Sequence, residues 1–238
     1  MKSGEEIKAK VRQKYGEIAL RDKTGGTSCC GDTGVHHIMS DDYTGIPGYQ
    51  PAADLGLGCG LPTQYAGIKP GDVVIDLGSG AGNDCFIARG ETGADGKVIG
   101  IDFTAEMILK ARENAGKLGF LNVEFRQGDI EDIPVPANTA DVVVSNCVLN
   151  LVPDKNQVFR EIYRVLKPGG HFSISDVVLT GDLSEEMKHA AETYAGCVAG
   201  AIRKDIYLEL IRRNGFGKPA VRKEKAIRIP DEVLAVYL

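Results

Sequence analysis

A doubly wound, mostly parallel α/β sheet is the fold this chain predicts, on three observations. Short continuous apolar runs such as Val73-Val74-Ile75 recur along it, as in strands buried on both faces of a parallel sheet. Between them lie segments with helical apolar spacing, so that strand and helix alternate. The first strand leads into Asp76-Leu77-Gly78-Ser79-Gly80-Ala81-Gly82, a glycine-rich turn that opens a helix. With 238 residues, 43% of them hydrophobic, the chain can bury one such core plus appendages. The expected division is an N-terminal segment, residues 1–70, and a main domain, residues 71–238.

Taken in order, residues 5–20 read as a helix with Ile7, Val11, Tyr15 and Ile18 on one face. From Thr24 to Gly67 the chain is rich in Gly, Thr, Ser, Asp and Pro, which predicts an irregular, partly mobile segment of the kind that serves as a lid. The first strand begins at Asp72, followed by a helix near 83–92, a strand over Lys97–Ile101 and a helix from Ala105 to Leu118. Val123–Gln127 and Asp141–Ser145 read as strands three and four, and Lys155–Leu166 as a helix. After the turn Pro168-Gly169-Gly170, His171–Asp176 reads as the fifth strand. A helix over Ser184–Ala201, ending in a run of small residues, interrupts the alternation as an inserted helical segment at about 180–202. Asp205–Arg213 reads as a helix stopped by Asn214-Gly215, and Ala220–Ile229 alternates like late strands.

Composition excludes several function classes. A formal net charge of -5 argues against a large electrostatic footprint for nucleic acid or anionic lipid. No stretch approaches the roughly 20 apolar residues of a membrane span, and Met1–Ala19 is charged throughout rather than leader-like. The expectation is a soluble cytoplasmic protein acting on a small molecule. Its six cysteines are then reduced thiols rather than a disulfide framework, and each needs its own explanation.

Chemistry concentrates at the strand ends. Glycines at 78, 80 and 82 let the backbone approach a ligand with a helix amino end behind it. Asp102, closing the second strand, can accept two ribose hydroxyls, or else cap the following helix. Gly128-Asp129-Ile130, after the third strand, can hold an adenine edge with a carboxylate and pack its face with an aliphatic chain. A second glycine run, Gly56, Gly58 and Gly60, follows no strand and reads as a loop.

These segments, with Val74–Gly82 and Arg164–Gly170, resemble the class I S-adenosylmethionine-dependent methyltransferases over about residues 70–229. The resemblance implies a Rossmann-like fold binding S-adenosylmethionine and releasing S-adenosylhomocysteine. Asp102 would hold the ribose, Asp129 and Ile130 the adenine, and the 78–82 loop with Asp76 and Ser79 the methionine portion. Phe103, Met107, Gly128 and Asn146 complete the implied donor pocket. Cys147 follows the fourth strand, whose end faces the donor methyl in this fold. A lone cysteine in an apolar run is by itself ordinary core filler. Cys59 and Cys197, however, lie in small-residue segments outside the core strands, and thiolates prefer soft acceptors.

The whole chain is similar to arsenite methyltransferases, through Ser145–Lys155, Leu57–Gly60, Gly196–Ala201 and Leu77–Cys85. That resemblance implies Cys59, Cys147 and Cys197 as ligands of trivalent arsenic, presented as arsenite or a thiol conjugate, with a cellular thiol as reductant. Tyr15 would belong to a segment closing over the donor. Leu57 departs from the family, some members of which carry an aromatic residue there. Cys29 and Cys30 are candidate accessory thiols, and Cys85 reads as packing. His36-His37 lacks partner spacing, so no metal other than arsenic is expected. The competing readings are a methyltransferase for another small or lipid-like acceptor and an arsenic-binding sensor.

Overall fold

A computed structural model describes residues 4–20, 41–182, 198 and 200–227. Its centre is a five-stranded sheet, all parallel, in the order β3-β2-β1-β4-β5. The strands are β1 (Val73–Leu77), β2 (Lys97–Asp102), β3 (Val123–Gln127), β4 (Ala140–Asn146) and β5 (Leu166–Ser175). The helices are α1 (Gly4–Leu20), α2 (Pro62–Ala66), α3 (Asn83–Thr92), α4 (Ala105–Leu118), α5 (Lys155–Val165) and α6 (Lys204–Arg213).

The continuous apolar runs have their cause in this layering. Ile75 on β1 faces the layer containing Phe159 and Ile162 of α5 and Tyr207 and Ile211 of α6. Its neighbour Val74 faces Phe86 and Ala88 of α3 and Ile108 and Ala111 of α4. Because successive side chains point to opposite faces, a strand covered on both sides must be apolar at every position. Helix α5 buries Val158, Phe159, Ile162 and Val165 at helical spacing, and Asp154 starts it by accepting from the Gln157 N–H at 3.1 Å. Helix α4 ends at Gly119, whose φ of 67° is the left-handed conformation that favours glycine.

Three expectations are corrected. The fifth strand starts at Leu166, not His171, and ends at Ser175. Its pairing with β4 jumps from Ala140↔Leu166 to Val142↔His171, so the Pro-Gly-Gly turn is absorbed as a bulge in which Gly169 takes φ 85°. Residues 220–227 form no strand. Val221 is half exposed, and Lys223 pairs instead with Asp41 at 2.6 Å and Glu224 with Lys204. Alternation there marks an extended ionic strap rather than sheet. Finally, the described part of the lid segment, 41–67, is not wholly irregular: it contains α2 and is anchored, with Tyr43, Ala53, Leu61 and Ala66 buried. The inserted helix at 184–201 falls almost wholly outside the described residues, as do His36-His37 and residues 228–229. Among the described residues no helix is long and apolar enough to cross a membrane.

Candidate active site

The carboxyl ends of β1, β2, β3 and β4 open into a cavity lined also by α1 and the 53–58 loop. A parallel sheet puts its ligand sites at this edge because the order reverses between β1 and β4. The loop after β1 is held down by β2: the Gly78 and Ser79 N–H groups both donate to Ile101 O, at 2.8 and 2.9 Å. Gly78 has φ 73°, and a Cβ there would fall 2.3 Å from Val148 Cγ2. Beside Gly80 a Cβ would meet nothing within 4 Å, so space lies open above the loop.

Asp102 anchors that loop as well as facing the cavity. One carboxylate oxygen accepts from the Gly80 N–H at 3.0 Å and the other from the Thr104 N–H at 2.9 Å. The residue capping α4 is Thr104, so Asp102 is not the helix cap but accepts from the cap residue's N–H. Burial raises Asp102, and these N–H groups oppose the shift. Of the other expected donor residues, Asp76, Gly78, Ser79, Gly80, Phe103 and Met107 line the cavity, as do Gly128, Asp129, Ile130, Asn146 and Tyr15. Gly82 does not. It caps α3 at φ 99°, and any Cβ would strike Phe125 and Phe86.

Charge in the cavity is one-sided. Asp54, Asp76, Asp84, Asp102 and Asp129 line it, and Lys8 is the one cation among the described lining residues. Burial, reinforced by the charges of Asp84 and Asp102, pushes Asp76 well above the usual carboxylate range, while the Cys85 thiol, donating at 3.2 Å, holds it down. Cys85 is thus wholly buried and hydrogen-bonded to the donor side, more than packing. Burial raises Asp84 to about 6 against hydrogen bonds from Asn146 and Tyr43. Lys8 reaches Asp129 at 2.7 Å and also Glu131, so α1 is tied to the carboxylate expected at the adenine. Arg12 over the Phe103 ring and Lys110 donating to Ala19 O at 2.8 Å tie it further.

The end of the cavity that carries Cys147 is built around one carbonyl. Cys147, the first residue after β4, adopts φ 61°, uncommon for a residue with a Cβ and a mark of an over-determined turn. Its N–H donates to Ser175 O at 2.8 Å. The half-buried Cys59 directs its Sγ to the same oxygen at 3.6 Å, and its N–H donates to Asn146 Oδ1 at 3.0 Å. Glycines flank Cys59 because Asn146 and Ser175 leave no room: a Cβ at Gly58 would lie 2.7 Å from Asn146 Nδ2, and one at Gly60 2.6 Å from Ser175 Oγ. The Cys59 thiol and the Cys147 backbone N–H therefore share one acceptor at the end of β5. Cys197, Cys29 and Cys30 lie outside the described residues.

Behind this pair stand residues without a motif. Asp176 accepts from Tyr207 Oη at 3.1 Å and from Asn150 Nδ2 at 2.9 Å. Desolvation pushes it up to about 7, countered by the Tyr207 hydrogen bond and the charge of Lys155. Burial raises the Tyr207 phenol, as do Asp176 and the nearby Cys59 and Cys147. The sequence reading assigned no role to Lys8, Tyr43, Asp54, Asp84, Asp176 or Tyr207. The one available signal was Asp84, inside the resemblance quoted at 77–85.

A family model for a methyltransferase domain matches residues 68–215. An arsenite methyltransferase from Halobacterium salinarum is 44% identical over 229 residues, covering 89% of this chain and 58% of that protein. One from Aquipseudomonas alcaligenes is 42% identical, covering 96% and 67%. The chain thus spans between about half and two thirds of their lengths. The crystal structure of an arsenic(III) S-adenosylmethionine methyltransferase from Chlamydomonas reinhardtii superposes with a TM-score of 0.61 at 34% identity, over 76% of this chain and 61% of that one. This chain belongs to the methyltransferase-domain family and, within it, to the family of the arsenite methyltransferases.

Proposed function

We propose that this member of the family moves a methyl group from S-adenosylmethionine to trivalent arsenic held by the sulfurs of Cys59, Cys147 and Cys197. The observation that carries the acceptor assignment is the shared Ser175 carbonyl, which brings the Cys147 backbone and the Cys59 thiol to one point beside the cavity. Soft, three-coordinate arsenic suits such a set of sulfurs. Residues 1–70 would act as the lid segment that brings Cys59, and residues 71–238 as the methyltransferase domain with the insertion carrying Cys197.

The donor pocket fits its proposed ligand on three counts. Ser79 Oγ is buried without a hydrogen-bond partner among the described residues and belongs to the cavity wall. The space above Gly80 accepts a close ligand. The surplus of aspartates suits a molecule carrying sulfonium and ammonium charges. Asp102 would take the ribose hydroxyls on its remaining lone pairs. Ile130 and Met107 would flank the adenine, and Asp76, Asp84 and Ser79 would face the methionine portion. Lys8 shares Asp129 with any adenine amino group and closes α1 over it.

When bound, S-adenosylmethionine supplies an electrophilic methyl on sulfur, which the arsenic lone pair takes in line as neutral S-adenosylhomocysteine leaves. The arsenic carries no proton, so no side chain has to act as a base. The chain's contribution is to hold acceptor and donor in register, an effect worth about 7–11 kcal/mol in favourable cases. Arsenic leaves the step two electrons more oxidised, and a cellular thiol would restore it for a further cycle.

The test is incubation of the reduced protein with arsenite, S-adenosylmethionine and a thiol, with arsenic speciation by coupled chromatography and mass spectrometry. Methylated arsenicals are expected. Donor binding without any methylated arsenic would overturn the acceptor assignment.

A further inference from the structure

Asn146, the last residue of β4, touches both halves of the cavity. Its Oδ1 accepts from the Cys59 N–H at 3.0 Å. Its Nδ2 faces Asp84 Oδ2 at 3.1 Å, Tyr43 Oη at 2.6 Å and Gly60 O at 2.8 Å. The amide orientation follows from these partners, since only the oxygen can meet a backbone N–H and only the nitrogen a carboxylate and a carbonyl. Tyr43 lies within 3.1 Å of both Gly60 O and Asp84 Oδ2, so it braces the same link from the lid segment. A Cβ at Gly58 would lie 2.7 Å from Asn146 Nδ2, so the Cys59 loop packs directly against Asn146. Asp84 lies in the cavity wall, where a cationic donor would face it.

We propose that Asn146 is a positioning residue coupling the two sites: a cationic donor over Asp84 tightens the chain Asp84, Asn146, Cys59 and so raises the affinity of the cysteine end for trivalent arsenic. The inference rests on the donor and acceptor assigned above. A positive ligand attracts the Asp84 carboxylate, and the charge-assisted hydrogen bonds that carboxylate accepts from Asn146 and Tyr43 hold both side chains in line with it. Asn146 is then held in the rotamer that receives the Cys59 N–H. Coupling between two sites is reciprocal, so arsenite must raise donor affinity by the same factor. A product lacking the sulfonium charge would couple less, which loosens the cysteine end after transfer.

The experiment measures arsenite binding to the reduced protein alone, with sinefungin (a stable analogue cationic at the methyl position) and with S-adenosylhomocysteine. In parallel, iodoacetamide labelling of Cys59 is followed by peptide mass spectrometry without arsenite. In the unaltered protein sinefungin should tighten arsenite binding on the order of tenfold, within the usual range of such couplings. It should also slow Cys59 labelling, with S-adenosylhomocysteine doing less of both. Asn146→Ala should bring the coupling, read as the ratio of arsenite affinities with and without sinefungin, to within about twofold of none whatever happens to either affinity alone, a result that loss of affinity alone does not produce. Asp84→Asn, nearly isosteric, should keep the fold and lose the difference between the two analogues. Coupling that is absent in the unaltered protein, or that survives in Asn146→Ala, overturns the proposal. If arsenite binds under none of the conditions, the acceptor assignment falls, and the labelling arm still decides whether Asn146 links the donor cavity to Cys59.

Discussion

The donor end and the acceptor end of the cavity are assembled in opposite ways. At the donor end each group follows directly from a strand: the 78–82 loop from β1, Asp102 from β2, and Gly128 to Ile130 from β3. Strand register places them, and local hydrogen bonds such as Gly80 N–H to Asp102 finish the work. At the acceptor end the groups come from separate segments: Cys59 and Cys147 share Ser175 O of β5, while Tyr207 of α6 reaches Asp176. A site built on consecutive strand ends tolerates local change, whereas one built on convergence depends on every segment arriving. The two ends meet at Val148, which follows Cys147 and presses on Gly78, and at Asn146.

The contrast is broken most severely at the sulfurs. Cys147→Ser should lower arsenite methylation on the order of a hundredfold or more through loss of acceptor placement, while donor affinity by titration stays within about twofold. Equal loss of donor binding would mean that Cys147 belongs to the donor end. Gly78→Ala should damage both ends together. Its φ of 73° and the clash with Val148, whose Cβ is itself 3.0 Å away, leave no rotamer that escapes. A loss of about 1–3 kcal/mol in urea unfolding is expected, with weakened donor binding.

Smaller effects sharpen the comparison. Asp176 has a carboxyl raised to about 7, so its contribution to stability is full below the ordinary pKa of about 4 and is lost as pH rises through 7. Asp176→Asn should therefore flatten the fall in stability between about pH 4 and 7, by on the order of 1–3 kcal/mol, since the residue keeps some contact with solvent. Urea midpoints at several pH values would read this directly, and an unchanged slope would mean that the carboxyl titrates normally. Lys8→Met should weaken donor binding only about two- to fivefold, the scale of a partly exposed ion pair. Unchanged methylation of arsenite at saturating donor would confine that effect to the donor end.

How far the sequence could be read tracks the same division. Strand, glycine turn and carboxylate lie close together along the chain at the donor end, so Asp76, Gly78, Gly80 and Asp102 were legible from local pattern. Asp129 was legible too, but not its pairing with Lys8, since nothing in α1 announces which carboxylate its lysine will reach. Cys59 and Cys147 could be named from resemblance, whereas their meeting at Ser175 could not, because a backbone carbonyl has no residue type. Tyr43, Asp176 and Tyr207 are ordinary polar residues at unremarkable spacings, and the alternation at 220–227 suggested strands where the chain forms ionic contacts.

What the amino-acid order determined by itself is therefore the parallel sheet, its helices and the donor edge, since apolar periodicity and glycine placement act over a few residues. Only the tertiary structure decided that Cys59 and Cys147 share the Ser175 carbonyl, that Asn146 links Asp84 to the Cys59 backbone and that Asp176 is drawn toward neutrality. Those outcomes depend on which distant segments pack together and on how much water the packing removes. Both are properties of the assembled core rather than of any stretch of the chain.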